Sequence, residues 1–390
     1  MKQGWEIKTL GDIGKVSMCK RILKEQTSMS GDIPFYKIGS FGKEPDAFIS
    51  NEIYEEFRRK FSFPKNGDIL ISASGTIGRR VRYDGKPAYF QDSNIVWLDN
   101  DEKQVLNDYL YRFYEICDWK STKGATISRL YNDNLRQIEI GFPKSLSEQQ
   151  HIVAILDEAF TAIAKAKENA EQNLQNAKEL FESYLQGVFE NKGEGWEEKK
   201  LGDACDLIMG QSPAGETYNT DGIGVPLING PVEFGKEPFS ETIKSKFTTE
   251  PTKFCKRGDL ILCVRGSTTG RINLAGFDAC IGRGVAAIRY AKNQYWLNYF
   301  ILSSRKKIYD LGTGATFPNV SGEMLKNLII PIPPLKTQQT IVQKLDALNA
   351  ETKKLEAIYQ QKLNDLEELK KSVLQKAFAG ELKTEKELVV

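Results

Sequence analysis

The side chains best placed for chemistry in this chain are arginines and hydroxyl residues set in glycine-bracketed turns. Ser74-Gly75-Thr76-Ile77-Gly78-Arg79-Arg80-Val81-Arg82 is one such turn, and Arg265-Gly266-Ser267-Thr268-Thr269-Gly270-Arg271 is its later counterpart. Backbone N–H groups in turns of this kind can approach phosphate oxygens, while a neighbouring arginine can bond guanine bidentately. Ser74, Thr76, Arg79, Arg80, Arg82, Arg265, Ser267, Thr268 and Arg271 are therefore candidate DNA contacts. A second pair of turns surrounds Gly124-Ala125-Thr126 and Gly314-Ala315-Thr316, and adds Lys123, Thr126, Arg129, Thr316 and Asn319. Two competing readings stay open: any one of the arginines can serve as the partner of a surface carboxylate, and the Gly-Ala-Thr segments can be plain structural turns.

Catalytic readings find no comparable support. The single histidine, His151, leaves no imidazole pattern for nucleophilic catalysis or a His-rich metal site, and its place at a helix start suits a cap or surface group. Every Gly-Lys pair lacks the Ser or Thr that a phosphate-binding loop requires next. The sole Pro-Pro, Pro333-Pro334, lies between Ile332 and Leu335, unlike the polar-Pro-Pro-aromatic motif of an adenine methyltransferase. Six cysteines without a Cys-x-x-Cys pair read as scattered core thiols, neither disulfides nor a zinc site. No catalytic, cofactor-binding or metal-binding residue is assigned to this chain. Trp97, Trp119 and Trp296 read as core fillers before stacking platforms.

Net charge is only +2, too little for a protein that simply coats nucleic acid. The distribution is more telling, since residues 1–146 and 193–335 carry the cationic excess and residues 147–192 are acidic. The chain opens Met1-Lys2-Gln3-Gly4-Trp5-Glu6 without an apolar leader and contains no run of about 18 apolar residues, so a cytoplasmic protein without a membrane segment is expected.

The elements that must position these turns emerge from an internal duplication. Gly4-Trp5-Glu6 followed by Leu10-Gly11-Asp12 returns as Gly195-Trp196-Glu197 and Leu201-Gly202-Asp203, Phe41-Gly42-Lys43-Glu44-Pro45 returns as Phe234-Gly235-Lys236-Glu237-Pro238, and Gly67-Asp68-Ile69-Leu70 returns as Gly258-Asp259-Leu260-Ile261. Gln149-Gln150 with Ile152-Val153 returns as Gln338-Gln339 with Ile341-Val342. Each copy begins with short apolar runs between glycines, which read as strands, and is closed by prolines that a helix cannot pass. The period then changes to a heptad seam: Ile152, Leu156, Ala159, Ile163, Ala166, Ala170, Leu174, Ala177, Phe181, Tyr184 and Val188 in one copy. The other runs Ile341, Leu345, Leu348, Thr352, Leu355, Ile358, Leu363, Leu366, Leu369, Val373 and Phe378. Two such helices in one chain are expected to pair with each other; the competing reading packs each along its own domain.

The expected fold is α+β, with two similar β-rich recognition domains separated by two long antiparallel coiled-coil helices and related by an internal pseudo-two-fold repeat. The boundaries are domain 1 at 1–146, helix 1 at 147–192, domain 2 at 193–335, helix 2 at 336–380 and a tail at 381–390.

These motifs together resemble the specificity subunit of type I restriction-modification systems. The resemblance covers nearly the whole chain. It rests on the doubled Gly-Trp opening, the Gly-Asp-Ile-Leu segment, the Gly-Ala-Thr turn, the run from Ile330-Pro331-Ile332-Pro333-Pro334-Leu335 to Leu345-Asp346, and the closing Ser372-Val373-Leu374-Gln375-Lys376-Ala377-Phe378-Ala379-Gly380-Glu381-Leu382. The first copy departs at the corner, reading Ile140-Gly141-Phe142-Pro143. The resemblance implies two target recognition domains that read an asymmetric bipartite site on double-stranded DNA, with the helices as a ruler. It implies two modification subunits and ATP-dependent restriction subunits as partners, with S-adenosylmethionine, ATP and magnesium held by those partners and none by this chain. A coiled-coil adaptor that does not bind DNA is the alternative; it explains the helices but not two basic folded domains.

Overall fold

In the computed structural model, which describes residues 3–119, 122–123, 128–313 and 318–382, the repeated Gly-Trp-Glu openings become strands that close each repeat on itself. Trp5–Thr9 pairs antiparallel with Glu139–Pro143, and Glu197–Lys200 pairs the same way with Ile329–Ile332. Between these ends each copy builds an antiparallel four-stranded sheet of one topology. In the first copy its order is Gly14–Ser17, Ile95–Asn100, Ile69–Ser72, Arg80–Arg82; in the second it is Asp206–Met209, Val285–Arg289, Leu260–Cys263, Ile272–Leu274. The central strands Ile69–Ser72 and Leu260–Cys263 are buried throughout, as their continuous apolar runs require. A second sheet in each copy, of three strands in the first and five in the second, contains one parallel pair, Ile33–Tyr36 with Tyr89–Phe90 and Val225–Ile228 with Ala279–Ile281.

The repeated Asp of the Gly-Asp motif is a turn anchor in both copies. Asp68 accepts the Lys65 N–H at 2.8 Å and Asp259 accepts the Lys256 N–H at 2.8 Å. Asp259 is also gripped by Arg289 through two hydrogen bonds of 2.7 Å, the fork-to-carboxylate geometry that gives such pairs their strength. Asp68 has no such arginine, and burial holds its carboxyl above the usual range.

The proline corner leads into helices at Leu146–Glu190 and Leu335–Ala379. The repeated glutamine at each entry is fully buried. Gln149 donates to the Pro143 carbonyl at 2.9 Å and Gln338 to the Pro333 carbonyl at 2.9 Å, so the amide side chain satisfies the chain where the strand ends. Tyr109 and Trp296 bond the same strands from the other side, through the carbonyls of Gly141 and Pro331.

Chain contacts divide the protein into two units, one of residues 1–170 with 361–390 and the other of residues 171–360. Each unit thus combines one β-rich half with a part of both long helices. In the first, Ile152 and Leu156 share a core with Leu374 and Ala377. Lys370 lies 4.9 Å from the Phe160 ring and Lys167 pairs with Glu367 at 2.6 Å, so the two helical segments run antiparallel. In the second, Leu185 shares a core with Val342 and Leu345. Phe378 closes the first unit against Tyr109 and Phe113, and Phe189 closes the second against Trp296 and Phe300.

The buried stripe departs from strict heptads at several positions. Leu185 is buried where Tyr184 is expected, and Tyr184 is exposed; Thr352 is buried as the seam has it, but Leu355, Ile358 and Leu369 are exposed, and Leu374 and Ala377 are buried beside the partly buried Val373 and Phe378. A straight α-helix drifts about 20° per heptad from the 3.5-residue repeat, so over several turns the buried stripe advances by one residue.

One cluster ties the first unit together. Glu115, at the end of helix Asn107–Phe113, receives Arg112 at 2.7 Å, Arg80 at 2.9 Å and Lys370 at 3.2 Å, while Arg112 also bonds Asp157 through Nε at 2.9 Å. Burial opposes ionisation of Glu115, but the Arg112 hydrogen bond and the charges of Arg80 and Lys370 outweigh it and hold the carboxyl below its usual range. The position of the Arg112–Asp157 pair is taken in the second unit by Tyr299, which donates to Asp346 at 2.6 Å. All six cysteines are free, and burial pushes the thiols of Cys19, Cys205 and Cys255 up to about 12. No helix among the described residues is long and apolar enough to cross a membrane.

Replacing Glu115 by Gln should destabilise the first unit by about 3 kcal/mol, because three cations lose a buried partner. The effect has a pH signature. A carboxyl held below its ordinary value stabilises the fold above that value and ceases to do so as pH falls through the folded-state pKa, so the gap between wild type and Glu115→Gln should narrow below pH 4.5. Urea unfolding at a series of pH values measures both; a gap independent of pH would remove the electrostatic explanation.

Candidate nucleic-acid interface

The candidate turns meet at one edge of each four-stranded sheet, where backbone pairing brings three segments side by side. In the first unit Ser72 pairs with Ile95, Ala73 N–H donates to the Asn94 carbonyl at 2.7 Å, and Leu130 N–H donates to the Ala73 carbonyl at 2.9 Å. Ser74 and Arg129 then form an isolated bridge. The second unit repeats the arrangement: Cys263 pairs with Val285, Val264 N–H donates to the Gly284 carbonyl at 2.9 Å, and Val320 N–H donates to the Val264 carbonyl at 2.9 Å. There Arg265 bridges Asn319. Two turns read separately in the sequence are thus one surface in each copy.

The glycine in each turn is required by what packs behind it. Gly78 has φ +83°, and a Cβ there would fall 2.2 Å from Trp119 Nε1; Gly270 has φ +87° and would meet the Arg305 carbonyl oxygen at 3.1 Å. Trp119 itself packs against Tyr114 with the rings tilted and their centroids 5.4 Å apart, and Arg305 donates from Nε to the Gly270 carbonyl at 2.9 Å. Trp97 and Trp296 are fully buried, and Trp119 packs against the core as a partly buried residue.

The candidate side chains separate into two groups. Arg79 donates from Nη1 to the Phe41 carbonyl at 2.9 Å, and Arg271 donates from Nη2 to the Gly235 carbonyl at 3.1 Å while lying 5.7 Å from the Phe234 ring. Both arginines therefore clasp the repeated Phe-Gly-Lys-Glu-Pro loop. Arg80 is held by Glu115 and stands 4.6 Å from the Tyr111 ring, and Arg82 pairs with Asp108 beside the same ring. Arg80 and Arg82 thus have carboxylate partners, as the competing reading has it, whereas Arg79 and Arg271 are engaged by backbone carbonyls, which neither reading anticipates.

The second group faces outward. Thr76, Arg265, Ser267 and Asn319 are exposed, and Arg265 has no side-chain partner among the described residues. Arg129 is exposed and lies 5.9 Å from the Tyr131 ring. Thr268 is half-buried, and Ser74 spends its hydroxyl on Asn94 Oδ1 at 2.8 Å. The backbone of Lys123 pairs as part of strand Thr122–Lys123 with Ser128–Arg129. Thr126 and Thr316 lie outside the described residues.

The third segment of each surface escapes sequence reasoning. Asn94 fixes Ser74 in the first unit, and in the second the matching position carries Gly282-Arg283-Gly284 with Arg283 exposed. A Gly-Arg-Gly turn next to a strand is the only signal available beforehand, and it is a weak one.

Comparison with known proteins gives a consistent result. The sequence pattern of the type I restriction modification DNA specificity domain matches residues 2–173 and again 193–368. Over 175 residues the chain is 58% identical to a protein of Haemophilus influenzae named as a type I restriction enzyme specificity subunit; the match spans 45% of either chain, less than half of that relative's length. A MjaX specificity subunit of Methanocaldococcus jannaschii is 27% identical over 98% of this chain and 94% of its own. Among solved structures, a chain from work on complex assembly and conformational transition of the type I R-M system superposes with a TM-score of 0.81 at 23% identity, covering 98% of this chain and 99% of that one.

The two groups of arginines predict different phenotypes. Arg79→Ala should cost about 1.5–3 kcal/mol of stability through the lost charged hydrogen bond, with any effect on DNA binding spread evenly over sequences. Arg265→Ala should leave stability unchanged and cost about 1–3 kcal/mol at one base pair if it reads an edge. Thermal unfolding and binding selection on both variants distinguish these; a sequence-specific loss in Arg79→Ala would reverse the assignment.

Proposed function

Because the chain belongs to the family of type I restriction modification DNA specificity domains, which it carries twice, we propose that it reads a bipartite DNA site, one half with each recognition surface. It is a specificity subunit without catalysis of its own, and it presents that site to methyltransferase subunits and, through them, to ATP-dependent restriction subunits. S-adenosylmethionine, ATP and magnesium belong to those partners in this reading. The supporting observation is the duplicated three-segment surface: the backbone pairing is the same in both copies, while the side chains presented differ. Asn94, Ser74 and Arg129 stand where the second copy has Arg283 with Gly284, Arg265 and Asn319.

Equal backbones with unequal side chains give equal docking and unequal reading. Phosphate contacts fix register without carrying sequence, and base edges are told apart by the donors and acceptors that face them. A net charge of +2 provides little counterion release, so affinity for arbitrary DNA is modest and the partners contribute to holding the duplex.

Sequencing of modified adenines in cells that express the chain with its modification subunits should show an interrupted, asymmetric site. A palindrome would contradict two unlike surfaces. The purified chain incubated with S-adenosylmethionine and DNA should transfer no methyl group, and measurable transfer would overturn its place as a recognition subunit.

A further inference from the structure

The turn between strands Ala279–Ile281 and Val285–Arg289 is built to hold one cation outward. Arg283 is exposed, and its side chain has no hydrogen-bond or ion-pair partner among the described residues. Both neighbours are glycines pressed against Asn229. A Cβ on Gly284 would lie 2.4 Å from the Asn229 carbonyl oxygen, where backbone cannot give way, and one on Gly282 would lie 1.9 Å from Asn229 Oδ1 and displace that side chain. The backbone is pinned on every side: Arg283 N–H donates to Ser212 Oγ at 3.2 Å, Gly282 N–H to the Ile228 carbonyl at 2.9 Å, and Val264 N–H to the Gly284 carbonyl at 2.9 Å.

The support beneath is also fixed. Glu233 is a buried carboxylate that accepts the N–H groups of Asn229 and Gly230 at 3.2 and 3.1 Å and the Ser245 hydroxyl at 3.3 Å. This locks the loop against which Gly282 and Gly284 pack. Cys263 pairs with Val285, Val264 N–H donates to the Gly284 carbonyl, and Val285 N–H closes the turn on the Gly282 carbonyl at 3.1 Å, so the turn that carries Arg283 lies beside the segment that leads into Arg265. Two exposed guanidinium groups without internal partners among the described residues are therefore carried on neighbouring segments of hydrogen-bonded backbone.

The same place in the first unit has different chemistry. Asp92-Ser93-Asn94 occupies the turn, so the uncharged Ser93 stands where the second unit has Arg283, while Asp92 binds Arg21 at 2.9 Å and Asn94 is spent on Ser74. An exposed guanidinium without an internal partner, carried on backbone held this firmly, offers a fork for the O6 and N7 acceptors of guanine, whereas the serine at the matching place in the first unit offers no such fork.

We propose that Arg283 is a specificity-determining residue that reads a guanine edge in the half-site of the second unit. The proposal rests on the reading of the chain as a DNA-recognition subunit. Binding selection from a randomised duplex library at low salt, with the full-length chain and with Arg283→Ala and Arg283→Lys, tests it. Both variants should relax preference about ten-fold or more at one or two base pairs of one half-site, leave the other half-site intact, and unfold at the wild-type temperature because the side chain is exposed. Lysine keeps the charge but loses the fork, so an Arg283→Lys protein with the wild-type motif beside an Arg283→Ala protein weakened equally on all sequences would reveal a phosphate contact and overturn the proposal. An unchanged motif in both variants would overturn it too. Wild-type protein that enriches no motif would instead sink the recognition reading itself, and this inference with it.

Discussion

The hydrophobic core of each unit is completed by side chains from both long helices. Ile152 and Leu156 from one helix, with Leu374 and Ala377 from the other, fill the first core; Leu185, Val342 and Leu345 fill the second. Each β-rich half turns its strand-closing edge toward helical side chains that come partly from the other repeat. Burial of such aliphatic side chains is worth roughly 1.5–3 kcal/mol each, so the pairing of helical segments and the folding of each β-rich half are coupled. The helices are structural parts of both units.

The two copies show that geometry outlasts chemistry. Tyr109 and Trp296 bond equivalent strand carbonyls with different groups, and Asp157 and Asp346 receive a guanidinium in one unit and a phenol in the other. Trp119 and Arg305 both back the turn glycine. The Glu115 cluster has no charged equivalent at Leu302, which packs as an ordinary apolar side chain beside the second core. What is retained is the position of each anchoring contact; the side chain that makes it is free to vary, and the outward-facing residues vary with it.

Much of this was legible in the residues. The duplication, the strand runs around Ile69–Ser72 and Leu260–Cys263 and the two long helices follow from local pattern, because period and turn chemistry act over a few residues. The glycine-bracketed segments do form turns, yet the sequence does not sort their arginines by partner. Arg80 meets Glu115 and Arg82 meets Asp108, partners that a chain of short-range rules cannot find. Arg283 was missed because its glycines answer to Asn229, a residue far away in sequence. The shift from Tyr184 to Leu185 has a different origin, the cumulative mismatch between 3.6 and 3.5 residues per turn.

The uneven division of the chain also orders its assembly. The second unit is continuous, residues 171–360, whereas the first needs residues 1–170 together with 361–390. During synthesis at about 5–20 residues per second, amino-terminal domains ordinarily finish first. Here Leu374 and Ala377 leave the ribosome after residues 171–360, so the amino-terminal unit waits with an open core while the second one can already close. The nascent chain therefore carries exposed apolar surface at Ile152 and Leu156 until Leu374 and Ala377 emerge, a window in which chaperone capture or premature pairing with another copy competes with the correct fold.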